Sequence, residues 1–159
     1  MALLTNKKTL KDDDYDTPLS AWKSIEKYLP KDKVIWEAFY SNGESGKHLR
    51  SLGCQVIHED VDFFTSDRGD VVVSNPPFSK KKDIFRRLKE LQKPFILLLP
   101  ASVLGTKMLS DMFPDIQVIV PKGRISFVKD GKATSQVWFA SFFYCWKMSL
   151  PKDLIFLPG

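Results

Sequence analysis

The stretch Val71-Val72-Val73-Ser74-Asn75-Pro76-Pro77-Phe78 constrains this chain more than any other. Asp70 followed by three β-branched valines predicts a short, fully buried strand. Pro76 and Pro77 carry no backbone N–H, so no ladder continues past Asn75. Each proline also pushes the residue before it toward extended geometry, which makes the loop open and stiff. Phe78 then places an aromatic ring just past the C-terminal end of a strand. In open α/β sheets that end is where ligands bind.

The rest of the chain reads as alternating strands and helices around this element. Residues 1–14 carry Lys7, Lys8 and Lys11 followed by Asp12-Asp13-Asp14 and read as a mobile tail. Thr17 before Pro18 predicts a helix N-cap with proline at the first helical position. Leu19, Trp22, Ile25 and Leu29 then follow helical spacing until Pro30. Residues 33–37 read as a strand, 38–45 as a loop of small residues, and 46–52 as a helix closed by Gly53. A second strand over 54–58 carries Glu59-Asp60 at its end. Only about a dozen residues separate it from the Val71 strand, too few for a full helical crossover with its turns. Residues 61–64 are expected to form a rudimentary strand or a loop. Beyond Phe78, Ser79 is a candidate cap for a helix reaching Leu91, with Ile84, Phe85, Leu88 and Leu91 on its apolar face. A strand over 95–99, a helix over 102–112 and a strand over 117–121 follow. Residues 124–129 and 135–145 read as a hairpin with Asp130-Gly131 in its turn. This order predicts a mostly parallel α/β sheet with one antiparallel strand near its far edge.

Length and composition narrow the function. A chain of 159 residues supports one domain with a core, assigned here to 15–159. Its longest apolar run, 95–99, is far short of a membrane span, and its start lacks a signal-peptide pattern. The expected location is intracellular, in the cytoplasm or nucleus of a cell or host. Cys54 and Cys145 are far apart and without metal-ligand spacing, and read as reduced, buried thiols. His48 and His58 are isolated, with structural or surface roles expected for both, so no metal site is expected. A net charge of +5 is compatible with a polyanionic partner without requiring one.

The chemistry that suits residues 75–78 is methylation of an exocyclic amine. The lone pair of an adenine N6 is delocalised into the ring, which makes the amine a poor nucleophile. Asn75 Oδ1 and the Pro76 carbonyl could each accept one N6 hydrogen. That would hold the nitrogen nearer tetrahedral and aim its lone pair at a methyl donor. Phe78 could stack on the base, once the base has left its duplex. The plain alternative is a Pro-Pro turn that merely stops a buried strand.

With residues 36–43, Asp60, Asp62-Phe63 and 75–78 considered together, the chain resembles a known family. It looks like the small class I S-adenosylmethionine-dependent N6-adenine methyltransferases of phages and DNA viruses, from about Tyr15 to Trp146. The resemblance implies a Rossmann-like fold, S-adenosylmethionine as cofactor and nucleic acid as substrate, DNA in preference to RNA. It implies that Tyr15-Asp16-Thr17-Pro18, with Tyr15 and Thr17, lies against the methionine part of the cofactor. Glu37-Ala38-Phe39-Tyr40-Ser41-Asn42-Gly43 matches the family's E-P-F-x-G-x-G loop, which assigns Glu37, Phe39, Ser41 and Gly43 to cofactor binding. Asp60, or its neighbour Glu59, falls where an acid binds the ribose hydroxyls. Asp62 and Phe63 resemble the acid–aromatic pair beside the cofactor's adenine. Asn75, Pro76, Pro77 and Phe78 form the catalytic loop.

The chain departs from the family at Ala38, where the family has proline, and at Ser41, where it has its first glycine. A serine is strained there if the position needs a positive φ. No stretch of the sequence reads as a separate target-recognition domain. C5-cytosine methylation would need a nucleophilic cysteine at a strand-end loop. N4-cytosine methylation resembles a serine-first SPP loop. Glutamine methylation uses a similar NPP loop but carries an extra helical domain. A rival from another class is a catalytically silent, methyltransferase-like subunit that binds nucleic acid or a catalytic partner. N6-adenine methylation of RNA is a further alternative. Lys80, Lys81, Lys82 and Arg86 follow the catalytic loop as candidate phosphate contacts, with Arg124 on the hairpin as another. A partner subunit or a second copy would supply any target specificity that flanking loops do not.

Overall fold

The computed structural model describes residues 16–129, 132–133 and 139–158. The expected tail over 1–14, Tyr15 and the Asp130-Gly131 turn lie outside them.

Seven strands form one sheet in the order β2-β1-β3-β4-β8-β5-β9. These are β1 Val34–Trp36, β2 Gln55–Ile57, β3 Val71–Ser74, β4 Phe95–Pro100, β5 Gln117–Val120, β8 Ser141–Trp146 and β9 Leu154–Phe156. Strands β6 Val128–Lys129 and β7 Lys132–Ala133 pair separately. Only β8 runs against the rest, pairing antiparallel with both β4 and β5. The protein is therefore α/β, with a mostly parallel sheet and an antiparallel part.

The connections explain the layers. The chain leaves β1 through α2, Glu44–Ser51, toward β2 on one side. It leaves β3 through α3, Lys81–Leu91, toward β4 on the other. Right-handed crossovers in opposite directions put their helices on opposite faces of the sheet. Strand alternation matches this. Val71 and Val73 pack with Leu49 of α2 and with Trp22 of α1, Leu19–Ser24. Val72 packs with Ile84, Phe85 and Leu88 of α3 and Leu109 of α4, Lys107–Met112. Each large apolar side chain removed from water contributes roughly 1.5–3 kcal/mol, so β3, buried at every position, anchors both layers.

Several boundaries differ from the sequence reading. Pro18, not Thr17, is the N-cap of α1; its extended ψ of 157° keeps it outside the helix. The helix expected to reach Pro30 stops at Ser24 and continues as a 3-10 turn over Glu26–Tyr28. Ser79 does not cap α3. The fixed φ of Pro77 opens a 3-10 turn, Phe78–Lys80, and Lys80 becomes the N-cap. The helix expected over 102–112 divides into a 3-10 segment, Ala101–Gly105, and α4, because the Thr106 hydroxyl accepts from Leu109 N–H and starts a new helix. The second arm of the hairpin pairs at Ala133, Arg124 precedes the first arm, and β8 is a separate strand of the main sheet. Strand β9 was not expected. It is short and follows Pro151, and it is held by parallel pairing with β5 and by two Gln117 side-chain bonds to Leu150. The connection between β2 and β3 holds turns and bends but no helix, as its length predicts. Among the described residues no helix is long and apolar enough to cross a membrane.

Candidate active site

The strand order turns back between β1 and β3. The chain goes from β1 to β2, then returns across β1 to start β3. The C-terminal ends of these two adjacent parallel strands therefore flank the switch point, where α/β sheets bind ligands. Residues 37–43 leave β1 there, and residues 75–78 leave β3 there.

Glu37 joins the two loops. Its carboxyl is buried, and its Oε1 accepts from Phe39 N–H at 3.0 Å and from the Ser74 hydroxyl. Burial pushes its pKa up to about 8, against the opposing pull of the Ser74 and Phe39 bonds. Near neutral pH this acid is mostly protonated. Among the described residues Oε2 has no hydrogen-bond partner. A carboxyl so placed ionises readily once a cation lies against it.

The loop beyond Glu37 is sharply turned. Ser41 has φ +49° and Gly43 φ +84°, so the position where glycine is missing does require left-handed backbone. Gly43 N–H closes a turn on Tyr40 O at 2.8 Å, and a Cβ on Gly43 would come within 3.3 Å of the Tyr40 hydroxyl. The side chain of Asp16 holds this turn from outside. Its carboxylate accepts from Ser41 Oγ at 3.2 Å and from Asn42 Nδ2 at 2.7 Å.

A second brace comes from β2. His58 Nδ1 accepts from Gly46 N–H at 3.0 Å, which places the ring proton on Nε2, 3.4 Å from Phe39 O. The ring also packs on Tyr40, with centroids 4.9 Å apart. Burial, with Arg50 nearby, holds His58 below its usual pKa. A Cβ on Gly46 would stand 2.1 Å from His58 Nδ1, so only glycine fits.

The acids after β2 divide by partner. Glu59 pairs with Arg68 at 3.2 Å. Asp60 is exposed and makes no hydrogen bond or ion pair among the described residues. Asp62 Oδ1 accepts from Phe64 N–H at 3.0 Å and shapes a turn. Phe63 lies fully buried between Trp36 and Phe39, while Phe64 is partly exposed. The 59–69 segment is fixed from below. Buried Lys93 donates to Asp67, to Arg68 O at 3.1 Å and to Gly69 O at 2.9 Å, and Arg87 donates to Ser66 O at 3.0 Å.

In the other loop, Asn75 is half-buried, Pro76 and Pro77 are buried, and Phe78 is half-buried. Phe78 meets Phe139 edge to face, with centroids 5.6 Å apart. Thr17 is buried to 2% exposure, and its Oγ1 has no hydrogen-bond partner among the described residues. Such an atom suits a segment completed by a polar ligand.

On the edge beyond the loop, Lys80 and Lys81 are half-buried and Lys82 is exposed, all without an ion pair among the described residues. Arg86 pairs with Asp83 at 3.2 Å. Arg124 is exposed and lies on a different segment. Both cysteines are buried, and burial raises Cys54 above its usual range and Cys145 to about 12, which does not suit a thiolate nucleophile. No group of His, Cys, Asp and Glu among the described residues could hold a metal ion.

The sequence placed Asp16 and Asn42 inside site segments without giving their side chains a role, and it did not point to Gly46, His58 or Ser74 as parts of this site. Ser74 directly precedes Asn75 and Asp16 directly precedes Thr17, so position in the motif was a usable signal for both. The partners of Gly46 and His58 are far apart in sequence, and no local pattern joins them. No family model matches the chain, and no curated protein matches it.

Proposed function

We propose that this chain is a minimal S-adenosylmethionine-dependent methyltransferase acting on the N6 amine of adenine in nucleic acid, DNA in preference to RNA. One observation carries the reading: the 37–43 loop and the 75–78 loop meet at the sheet's switch point, tied by the Glu37–Ser74 hydrogen bond. Two motifs that resemble the family's cofactor loop and catalytic loop are thus adjacent in space although Asn75 lies 32 positions after Gly43 in sequence. The lone antiparallel strand between β4 and β5 further supports a Rossmann-like class I methyltransferase fold.

The residues present fit the cofactor. Glu37 offers a buried carboxyl oxygen to its ammonium group, Asp60 a carboxylate to the ribose hydroxyls, and Thr17 a buried hydroxyl, the last two without a partner among the described residues. Gly43 allows a close backbone approach. The cofactor supplies an electrophilic methyl group. Asn75 Oδ1 and Pro76 O would accept the two N6 hydrogens, leaving the nitrogen lone pair free to take up that methyl group. The displaced N6 proton passes to solvent after transfer. Phe78, backed by Phe139, holds the base face.

Incubation with methyl-labelled S-adenosylmethionine and adenine-containing DNA or RNA, followed by nucleoside analysis, tests this. Label in N6-methyldeoxyadenosine is the expected product, and label in N6-methyladenosine alone would move the substrate to RNA. Cofactor binding without any labelled nucleoside would favour the silent-subunit alternative.

A further inference from the structure

We propose that Asp16 is a positioning residue that lets a serine occupy the left-handed place in the cofactor loop. The inference rests on the proposed reading of residues 37–43 as that loop.

A side chain with a Cβ at φ +49° is disfavoured, by roughly 1–2 kcal/mol for ordinary residues, and Ser41 has this backbone in a loop that must present its main chain to a ligand. Gln92, Lys147 and Ser149 also have a positive φ; Gln92 sits at the C-terminal end of α3, where left-handed backbone is an ordinary helix stop, and Lys147 and Ser149 lie in the segment that follows β8. Ser41 has no helix end to account for it. It has the Asp16 carboxylate instead, which takes a hydrogen bond from Ser41 Oγ and another from Asn42 Nδ2. Both central residues of the Tyr40–Gly43 turn are thereby held by one acid.

A tether works only if its own anchor is fixed. Asp16 N–H donates to Val128 O at 2.7 Å, and Val128 N–H donates to Asp16 O at 2.8 Å. These bonds use main-chain atoms alone and survive any side-chain change at 16. The Asp16 main chain is thus pinned to β6, and its carboxylate grips the loop in front. Glycine would supply the same backbone without help. The serine–aspartate pair replaces conformational freedom with an added bond.

Amide hydrogen exchange on the ligand-free chain separates this from a general structural role. Asp16→Ala should speed exchange at the Gly43 amide about tenfold, the scale of removing the two charge-assisted bonds at this exposed site. Exchange at the Val128 amide should stay unchanged. S-adenosylhomocysteine should bind Asp16→Ala about tenfold more weakly. In a Ser41→Gly background the same Asp16→Ala change should have at most about a threefold effect, because glycine holds the turn unaided. Wild-type exchange at Gly43 in Asp16→Ala would overturn the proposal, as would release of Val128 together with Gly43, or an equal loss in the Ser41→Gly background. If wild-type protein does not bind S-adenosylhomocysteine, the functional reading fails, while the exchange data still decide the tether.

Discussion

The Ser74 hydroxyl donates a hydrogen bond to the Glu37 carboxyl, joining the C-terminal ends of β3 and β1. The acid is buried, so its proton is part of the structure. Raised from 4.5 to about 8, it holds a proton that the unfolded chain has already released. The folded state therefore binds more protons across that interval, and stability falls as pH rises through it. The contribution is fully present below about pH 4.5 and lost by about pH 8.

Glu37→Gln cannot ionise, yet keeps an oxygen for Ser74 and Phe39. Its stability relative to wild type should rise by up to a few kcal/mol on going from pH 5 to pH 8, at about 1.36 kcal/mol per unit of pKa difference. Urea denaturation at several pH values measures this. A difference that does not vary with pH would mean Glu37 is ionised throughout.

Gly46→Ala should be destabilising because its new Cβ would overlap His58, whose Nδ1 stands 2.1 Å from that point. Overpacking of this kind costs about 1–3 kcal/mol, read as a fall in melting temperature of roughly 2–4 °C per kcal/mol. The His58 Cβ would stand only 2.7 Å from the new atom as well, so the clash is relieved only when ring and Cβ both go, and Gly46→Ala with His58→Gly should lose less than the sum of the two single changes. Strict additivity would show that the two residues do not touch in solution.

Asp60→Ala should weaken S-adenosylmethionine binding about tenfold or more, by loss of a charge-assisted acceptor. Thermal stability should hardly change, because Asp60 has no partner to lose among the described residues. Glu59→Ala should do the reverse: normal cofactor affinity with at most about 1 kcal/mol lost from its exposed pair with Arg68. Calorimetric titration of both variants checks the assignment. An exchange of the two phenotypes would move the ribose contact to Glu59.

Replacing Lys80, Lys81 and Lys82 with Gln should weaken oligonucleotide binding across sequences and flatten its salt dependence, by a slope of about 0.7–0.9 for each phosphate no longer neutralised. These lysines sit at the start of α3, where cations oppose the helix macrodipole, and they have no ion pair among the described residues. A phosphate backbone would offset that cost. Arg86 is a weaker candidate than its sequence position suggested, since Asp83 already pairs with it. An unchanged salt slope in the triple variant would place the nucleic-acid lip elsewhere.

What the sequence made legible was local. Three valines ending at two prolines located β3 and its loop, and the short interval before Val71 implied a connection without a helix. Ser41 could be flagged as a left-handed position because a glycine was missing from a recognisable pattern. The compensation was not legible, because Asp16 is 25 residues away from Ser41 and reaches it only in the folded chain. The Gly46–His58 contact is hidden for the same reason. Helix ends were misread where Pro18 rather than Thr17 caps α1, and where Thr106 starts a new helix inside the span 102–112 expected to be one. Strand β9 escaped because three residues are too few for a period to show, and only pairing with β5 makes them a strand.

Asn75 is the residue proposed to hold the target amine. The most direct measurement is a single-turnover assay of N6-methyldeoxyadenosine formation by wild type and Asn75→Ala, with S-adenosylhomocysteine affinity measured on the same preparations. The prediction is a fall in turnover of ~10²-fold or more, with affinity within about twofold of wild type, because the proposed cofactor site lies along the loop after β1 rather than at Asn75. Turnover near the wild-type rate in Asn75→Ala would contradict the account.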